Sequence, residues 1–287
     1  MFKSDYHGDD YAYSINNSRR MLELVKTGKL NSISIIPNMS CFDSCISLLN
    51  DLLSSSDINP DISIHLNIID GIKLSSPGGK EYFQNSWIHF FLISLIPGKR
   101  RSAVRAELCE EFMLQITRCL DAIEKLEGIR LDSHVHTHMI PVVFDAMCDA
   151  IAGLGLENRI KFIRNCREPL IPFITTRGIA GTLSFVNILK NLILNILSVR
   201  VSCRLRSMGI PDSCLFGLVF SGSMDDKRVK KLSPRMEHFA SGKDRYLEIL
   251  CHPGIVLSSE LMPEHSKDSA FITSPNRDLE YEMITLR

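Results

Sequence analysis

Short β-like runs alternate with helix-like segments along nearly the whole chain, and this alternation limits its fold more than any other feature. Strands are predicted within residues 2–8 and at residues 32–36, 62–68, 129–136, 160–164, 215–220 and 247–251. Helical patterns separate them, at residues 15–27, 42–53, 101–126, 142–153, 182–207 and 226–240. Such alternation indicates a parallel sheet, open or closed. Seven strands predict an α/β barrel of the TIM type, irregular or one strand short. We find no internal repeat and no linker, so we expect one domain over residues 1–287.

Charge and cysteine usage limit the partners and the compartment. The 33 basic residues equal the 33 acidic ones, so net charge gives no support for a nucleic-acid partner. The nine cysteines are scattered without a C-x-x-C pair, as free thiols in a reducing compartment are. The first five residues do not resemble the apolar core of a signal peptide. We therefore expect a cytoplasmic protein.

One long apolar segment needs a membrane check. Residues 179–201 are interrupted by polar side chains, and Asn187, Asn191 and Asn195 recur every fourth residue as a polar stripe on a helix. We interpret the segment as a helix docked on the core or at a subunit contact and expect no transmembrane segment. A homodimer through the helix at residues 182–207 stays open, as does attachment to a membrane surface through that helix and nearby arginines.

A run of alternating histidines marks the predicted fourth strand. His134, His136 and His138 follow Asp132 at every second residue. On a strand, these side chains would share one face. Imidazole and carboxylate groups are suitable ligands for Zn²⁺ and related ions. The run therefore predicts part of a metal site, although the spacing does not decide which histidine binds and the other ligands must lie elsewhere.

Other ionisable residues lie at or near predicted strand ends, where barrel enzymes carry their chemistry. These are Asp9 and Asp10, His65, Arg164 and His252. Adjacent carboxylates in an extended segment point to different sides, which favours separate roles for Asp9 and Asp10, one binding a metal and the other accepting a proton. Each of these residues also has an explanation without chemistry: Asp9 and Asp10 could form a solvated turn, and a histidine could be bonded to a backbone carbonyl.

Four motifs occur in the order and approximate spacing of one known family. The chain resembles the YdjC-like carbohydrate deacetylases, which include the chitooligosaccharide deacetylases. The resemblance extends from about residue 9 to residue 254 and includes residues 164–170. Its motifs are Asp9-Asp10, His65-Leu66-Asn67, Asp132-Ser133-His134-Val135-His136-Thr137-His138 and Cys251-His252-Pro253-Gly254.

This resemblance implies a distorted TIM-like (β/α) barrel of the glycoside hydrolase/deacetylase type that holds one divalent metal ion, Mg²⁺ or Zn²⁺. It implies a hydrolase that removes the acetyl group from an N-acetylated carbohydrate. The implied metal ligands are Asp10, His65 and His134, the catalytic base is Asp9 and the acid is His252, with His136, His138, Arg164 and Arg167 as candidate substrate contacts.

The first motif departs from the family pattern N-A-D-D-[FY]-G. His7 stands in place of the asparagine and Ala12 in place of the glycine, on an unusually polar strand. Two alternatives stay open, the second of them because of this departure. The first is another metal hydrolase of the amidohydrolase or phosphoesterase type, although an H-x-H motif in those barrels lies on the first strand. The second is a barrel that binds sugar or metal without catalysis.

Overall fold

The computed structural model describes residues 4–79, 81–126, 128–243, 245–265 and 269–287. The described part contains seven strands: β1 Ser4–Tyr11, β2 Ser32–Ile35, β3 Asp61–Leu66, β4 Ile129–Ser133, β5 Ile160–Ile163, β6 Ser213–Phe216 and β7 Tyr246–Cys251. Its helices are α1 Ile15–Lys26, α2 Phe42–Ser55, α3 Trp87–Leu95, α4 Lys99–Ala122, α5 Pro141–Gly153, α6 Ile171–Thr175, α7 Phe185–Ser207, α8 Asp226–Ser241, α9 Ser269–Ile272 and α10 Asn276–Thr285.

The strands form one curled parallel sheet in the order β5-β4-β3-β2-β1-β7-β6. Strands β5 and β6 do not pair, but the segment after β5 connects them. Leu215 donates its N–H to the carbonyl of Arg167 (2.9 Å), and Asn165 donates its N–H to the Ser213 hydroxyl (3.0 Å). The predicted distorted TIM-like barrel with seven parallel strands is confirmed.

The interior of the sheet is polar close to its first strand. Asp5, His7 and Asp9 are buried on one face of β1 because alternate strand residues share a face. Ser32 and Ser34 of β2 contact them from the neighbouring strand. The unusual polarity of the first strand is therefore explained by a buried network of hydrogen bonds and ion pairs, while the apolar core lies mainly between the strands and the helices that cover them.

A bulge brings both carboxylates of the Asp9-Asp10 pair to the same site. Gly8 pairs with Ile33 of β2 but Tyr11 pairs with Ile35, so β1 contains one extra residue over this interval. Asp10 has a left-handed backbone (φ 69°), a conformation that aspartate tolerates better than most side chains do. The expectation that the two carboxylates point to different sides fails here because it assumed an unbroken extended strand.

The predicted strand at residues 129–136 is wrong in its last part. Strand β4 ends at Ser133, and His134–Met139 form a short 3₁₀ segment in which Val135 and His136 have positive φ (51° and 55°). The Ser133 hydroxyl accepts the N–H of His138 (2.8 Å), which turns the chain back over the strand end. The three histidines therefore do not share a strand face, as the period of two had predicted.

Helix α7 docks through the predicted polar stripe. The Asn187 amide donates to the carbonyl of Val219 (3.0 Å), and the amides of Asn191 and Asn195 donate to Glu168. Among the described helices, one, α7, has the length and apolar composition needed to cross a membrane. This is weak evidence for a transmembrane segment, because a docked helix passes the same test.

Four of the described helices were not predicted: α3, α6, α9 and α10. The last of these returns to the carboxyl ends of the strands. Its Arg277 and Glu280 are fully buried, and they contact Asp10 and the backbone of His252 respectively. The C-terminal part of the chain therefore completes the polar end of the barrel.

Candidate metal centre

Asp10, His65 and His134 form a compact group of buried donor atoms. Their ligand atoms lie within 4.8 Å of one another. Oδ1 of Asp10 is 3.1 Å from Nδ1 of His134 and 3.7 Å from Nε2 of His65. Donors about 2.0–2.2 Å from a shared ion lie roughly 3–3.5 Å apart, so the group needs little adjustment to hold one. The structure therefore brings together the three residues expected as ligands.

Two buried partners hold these side chains in place. Nδ1 of His65 is hydrogen-bonded to Oδ1 of Asp132 (2.7 Å), which directs Nε2 toward Asp10. Carboxylates commonly orient metal-binding histidines in this way. Arg277 donates to Oδ2 of Asp10 and leaves Oδ1 on the side of the histidines. Burial raises the pKa of Asp10, but Arg277 and His134 outweigh it and hold that pKa far below its usual value.

Asp9 lies beside this group and is held by two cations. Its Oδ2 is 4.0 Å from Nε2 of His65. Both its oxygens accept hydrogen bonds from the Arg164 guanidinium (2.8 and 2.7 Å), and Oδ1 is also 3.1 Å from Nε2 of His7. Burial raises the pKa of Asp9, but Arg164 and His65 outweigh it and hold the pKa well below its usual range. Asp9 is therefore ionised at neutral pH.

His7, two residues before Asp9 on β1, is the second cation that contacts Asp9. Its Nδ1 contacts the hydroxyl of Ser32 (2.6 Å) and its Nε2 that of Ser34 (2.8 Å). Those hydroxyls donate their protons to Asp5 and Asp132, so both ring nitrogens of His7 must donate. Burial lowers the pKa of His7, but the carboxylates of Glu248 and Asp9 raise it above its usual value. The residue that replaces the family asparagine is therefore an imidazolium.

The charges of this buried network are incompletely balanced. Arg164 contacts Asp132 (2.9 Å) and Glu248 (2.5 Å) in addition to Asp9. The contiguous set holds six buried carboxyl groups and four cationic groups, so two negative charges remain if each of these six is ionised. This excess equals the charge of one divalent ion. The carboxyl groups are those of Asp5, Asp9, Asp10, Asp70, Asp132 and Glu248, and the cations are His7, Arg130, Arg164 and Arg277. Asp61, which also pairs with Arg130, is exposed to solvent and lies outside the buried set.

Two other groups of possible ligands lie deeper, Asp5 with His7 and Glu248, and His7 with Asp9 and Asp132. Arg164 contacts a carboxylate in each of them, and His7 is engaged by two serines. A protein cation therefore already occupies the place that a metal would take in these groups.

The two later histidines of the run have different surroundings. His138 is fully buried and bonded to the hydroxyl of Ser133 (2.7 Å) and the carbonyl of Arg164 (2.9 Å). Burial lowers the pKa of His138 to about 4, so the ring is neutral and connects two backbone segments. His136 is partly exposed, although its Nδ1 is buried, so of these two histidines it is the one with any surface open to solvent.

The arginines predicted as substrate contacts, Arg164 and Arg167, both bind side chains of the protein itself. Arg164 is fully buried, and its guanidinium contacts the carboxylates of Asp9, Asp132 and Glu248. The structure thus places it as a charge partner within the barrel. Arg167 is half-buried and donates to the hydroxyl of Ser202 (3.0 Å) on α7.

His252 lies at the end of β7, as expected. Its backbone N–H donates to Glu280, and Nδ1 lies 3.5 Å from Oε2 of the same residue. The ring packs edge-to-face on Phe271.

Sequence reasoning missed several residues of this site. Arg277, Glu248 and Arg130 carry no motif, and a lone arginine in a terminal helix gives no signal of its own. His7 was noticed only as a departure from the family pattern. Its position two residues before Asp9 on one strand was the signal that could have placed it in the same network.

Comparison with known proteins gives the family. The chain matches the YdjC-like protein family over residues 6–286, so it belongs to the YdjC-like family, which is related to carbohydrate deacetylases. A similar solved structure is that of a protein from Enterococcus faecalis V583 named provisionally as a cellobiose-phosphate cleavage protein. Its TM-score is 0.60 at 17% identity, covering 99% of this chain and 90% of that one. At that identity the likeness establishes the fold alone. No curated protein sequence matches this chain.

Proposed function

We propose that this protein is a metal-dependent hydrolase that removes the N-acetyl group from an acetylated amino sugar or a short chitooligosaccharide. The observation that carries the proposal is the buried group of Asp10, His65 and His134 with Asp9 at its side. Family membership supports the choice of a carbohydrate amide as substrate.

The donor set suits one divalent ion, Mg²⁺ or Zn²⁺. One carboxylate and two imidazoles leave coordination positions for water and substrate, as hydrolytic metal sites require. When bound, such an ion makes water more acidic and polarises the amide oxygen. The surplus of two negative charges in the surrounding network favours a doubly charged cation over none.

Side chains of the protein would then carry out the proton transfers. Asp9 accepts a proton as water adds to the acetamide carbon, and Arg164 and His7 keep its carboxylate in place. His252 donates a proton to the departing amine when the carbon–nitrogen bond breaks. Acetate and a free amino group result. His136, half-buried next to the ligand His134, is the best placed of the substrate-contact candidates.

Acetate release tests the proposal most simply. The purified protein is incubated with N-acetylglucosamine oligosaccharides, after treatment with EDTA and after readdition of Zn²⁺ or Mg²⁺. We expect release that depends on the metal and is lost in His134→Ala. His238→Ala is the matched control, since this histidine lies on α8, outside the site.

A second candidate is a barrel that binds metal and sugar without hydrolysis. The observation that favours it is the double hydrogen bond from Arg164 to both oxygens of Asp9, which reduces the basicity of that carboxylate. A protein that binds one metal ion and acetylated sugars but releases no acetate from any of them would support this candidate and contradict the first.

A further inference from the structure

Helix α7 differs from an ordinary surface helix because polar side chains share its buried face while large apolar side chains are exposed. Its buried face carries three polar residues, Asn191, Ser198 and Ser202, beside the apolar Leu194, Val201 and Leu205. The amides of Asn191 and Asn195 are bonded to Glu168. A surface helix of a globular protein normally turns its apolar stripe toward the core. Here hydrogen bonds and apolar contacts together dock the helix, and a second set of large apolar side chains remains exposed.

The exposed apolar side chains form a continuous stripe. Phe185, Leu189, Leu192, Ile196 and Val199 follow one another at intervals of four, three, four and three residues, and each is between 46 and 78% exposed. This spacing places all five on one face over four turns. An exposed apolar patch of this length indicates a partner that covers it.

A second exposed apolar face lies on α3, next to the same neighbour. Ile88, Leu92 and Leu95 are between 53 and 65% exposed. Ser94 on the opposite side of α3 accepts the backbone N–H of Val142, in the first turn of α5 (3.0 Å). Helix α7 reaches the N-terminal half of α5 through an ion pair of Arg200 with Asp145 (2.7 Å), about one turn further along. Both apolar faces therefore belong to helices that flank the start of α5, just after the segment His134–Met139.

The charges beside both faces are positive. Between Glu168 and Asp212 the sequence has five basic residues and no acidic one, and Arg204 and Arg206 are exposed at the end of α7. Lys99 and Arg100 are exposed directly after α3. A second copy of the chain packed on α7 would place these like charges near each other. A surface that is apolar and negatively charged complements them.

We propose that α7 and α3 together form a docking surface for an anionic lipid bilayer. The apolar side chains would enter the boundary between headgroups and acyl chains, and the basic side chains would contact anionic headgroups. Helix α7 lies on the bilayer in this arrangement, because its inner face stays bonded to Glu168 and Val219. The inference is independent of the reaction that the site catalyses.

Flotation with lipid vesicles tests this docking surface. We expect the wild-type protein to bind vesicles of phosphatidylcholine and phosphatidylglycerol in equal amounts, to bind phosphatidylcholine alone much less, and to release at high salt. Leu192→Gln together with Ile196→Gln should lower the partition coefficient at least about tenfold. Arg204→Gln together with Arg206→Gln should weaken binding only to the anionic vesicles.

Leu279→Gln is the matched control, because this leucine is 45% exposed on α10 and lies on neither α7 nor α3. Its partition coefficient should equal that of the wild type. The substituted leucine and isoleucine of α7 are exposed, so circular dichroism should show an unchanged fold. Absence of vesicle binding by the folded wild-type protein would overturn the proposal. A second result would also overturn it: ultracentrifugation shows that the wild-type protein is a dimer and the α7 variant a monomer, and neither of them binds vesicles.

Discussion

Replacement of Arg164 tests the electrostatic account of the barrel interior. Its guanidinium is fully buried and contacts three carboxylates, those of Asp9, Asp132 and Glu248. Arg164→Met keeps much of the side-chain volume and removes the charge. Removal of one partner from a buried ion pair costs about 3–5 kcal/mol of folding free energy. Because three carboxylates lose their cation here, we expect a loss at the upper end of that range.

The pH dependence of this loss follows from the pKa directions. Arg164 holds the pKa values of Asp9 and Asp132 below their usual range against the opposite effect of burial. Such pairing stabilises the fold above the unfolded pKa of about 4, and this contribution is lost as the pH falls through the folded pKa. Without Arg164 the carboxyl groups take up protons at a higher pH. The difference between wild type and variant should therefore be largest at neutral pH and shrink as the pH approaches about 4.

Urea unfolding followed by circular dichroism, with EDTA present, measures the free energy of unfolding at each pH. Arg101→Met is the control, because Arg101 pairs with Asp145 in a partly exposed ion pair (3.3 Å) and its loss should cost no more than about 1 kcal/mol. A loss below about 1 kcal/mol for Arg164→Met, or one that does not change with pH, would refute the reasoning. A stable variant with a raised KM would restore Arg164 as a substrate contact.

Three further predictions concern the base and two structural positions. Asp9→Asn should reduce acetate release by at least about 10²–10³-fold while metal affinity, measured by calorimetry, stays within a few-fold of wild type; retained turnover would exclude Asp9 as the base. Gly217→Ala should destabilise the fold by more than about 2 kcal/mol in thermal unfolding, because the added Cβ would lie 2.6 Å from the carbonyl oxygen of Leu250 at a φ of 140°. Gly28→Ala is the control and should cost only about 1 kcal/mol, because Gly28 has a φ of 67° but open space around it. Equal losses in the two variants would contradict the steric argument. Glu168→Ala should cost about 3 kcal/mol or more in urea unfolding because three backbone N–H groups, those of residues 217–219, lose their acceptor, and an unchanged midpoint would show that water replaces it.

The fold was predictable because it depends on patterns of many residues. Strand–helix alternation gave the parallel sheet and the number of strands, and Gly28, which has positive φ just after α1, was recognisable as a helix terminator. The α7 stripe of Asn187, Asn191 and Asn195 was also readable, since polar residues at every fourth position of an apolar helix share one face and need hydrogen-bond partners there.

The geometry of the site was less predictable because it depends on departures from regular structure. The bulge at Asp9-Asp10 and the left-handed residues Val135 and His136 both violate the period of two on which the strand argument relied. Gly8 borders the bulge, but the residues that adopt the positive φ, Asp10, Val135 and His136, are not glycines and so gave no signal of it. Arg277 could not be placed, because its ion pair with Asp10 spans nearly the whole sequence.

Metal binding by the intact protein tests the central claim most directly. Calorimetric titration of the metal-free protein with Zn²⁺ should give one site per chain, and His65→Ala and His134→Ala should each weaken it at least about tenfold. His136→Ala, in the same segment but outside the ligand group, should bind as the wild type does. Undiminished binding in His65→Ala and His134→Ala, or no binding by the folded wild-type protein, would contradict a metal centre formed by Asp10, His65 and His134.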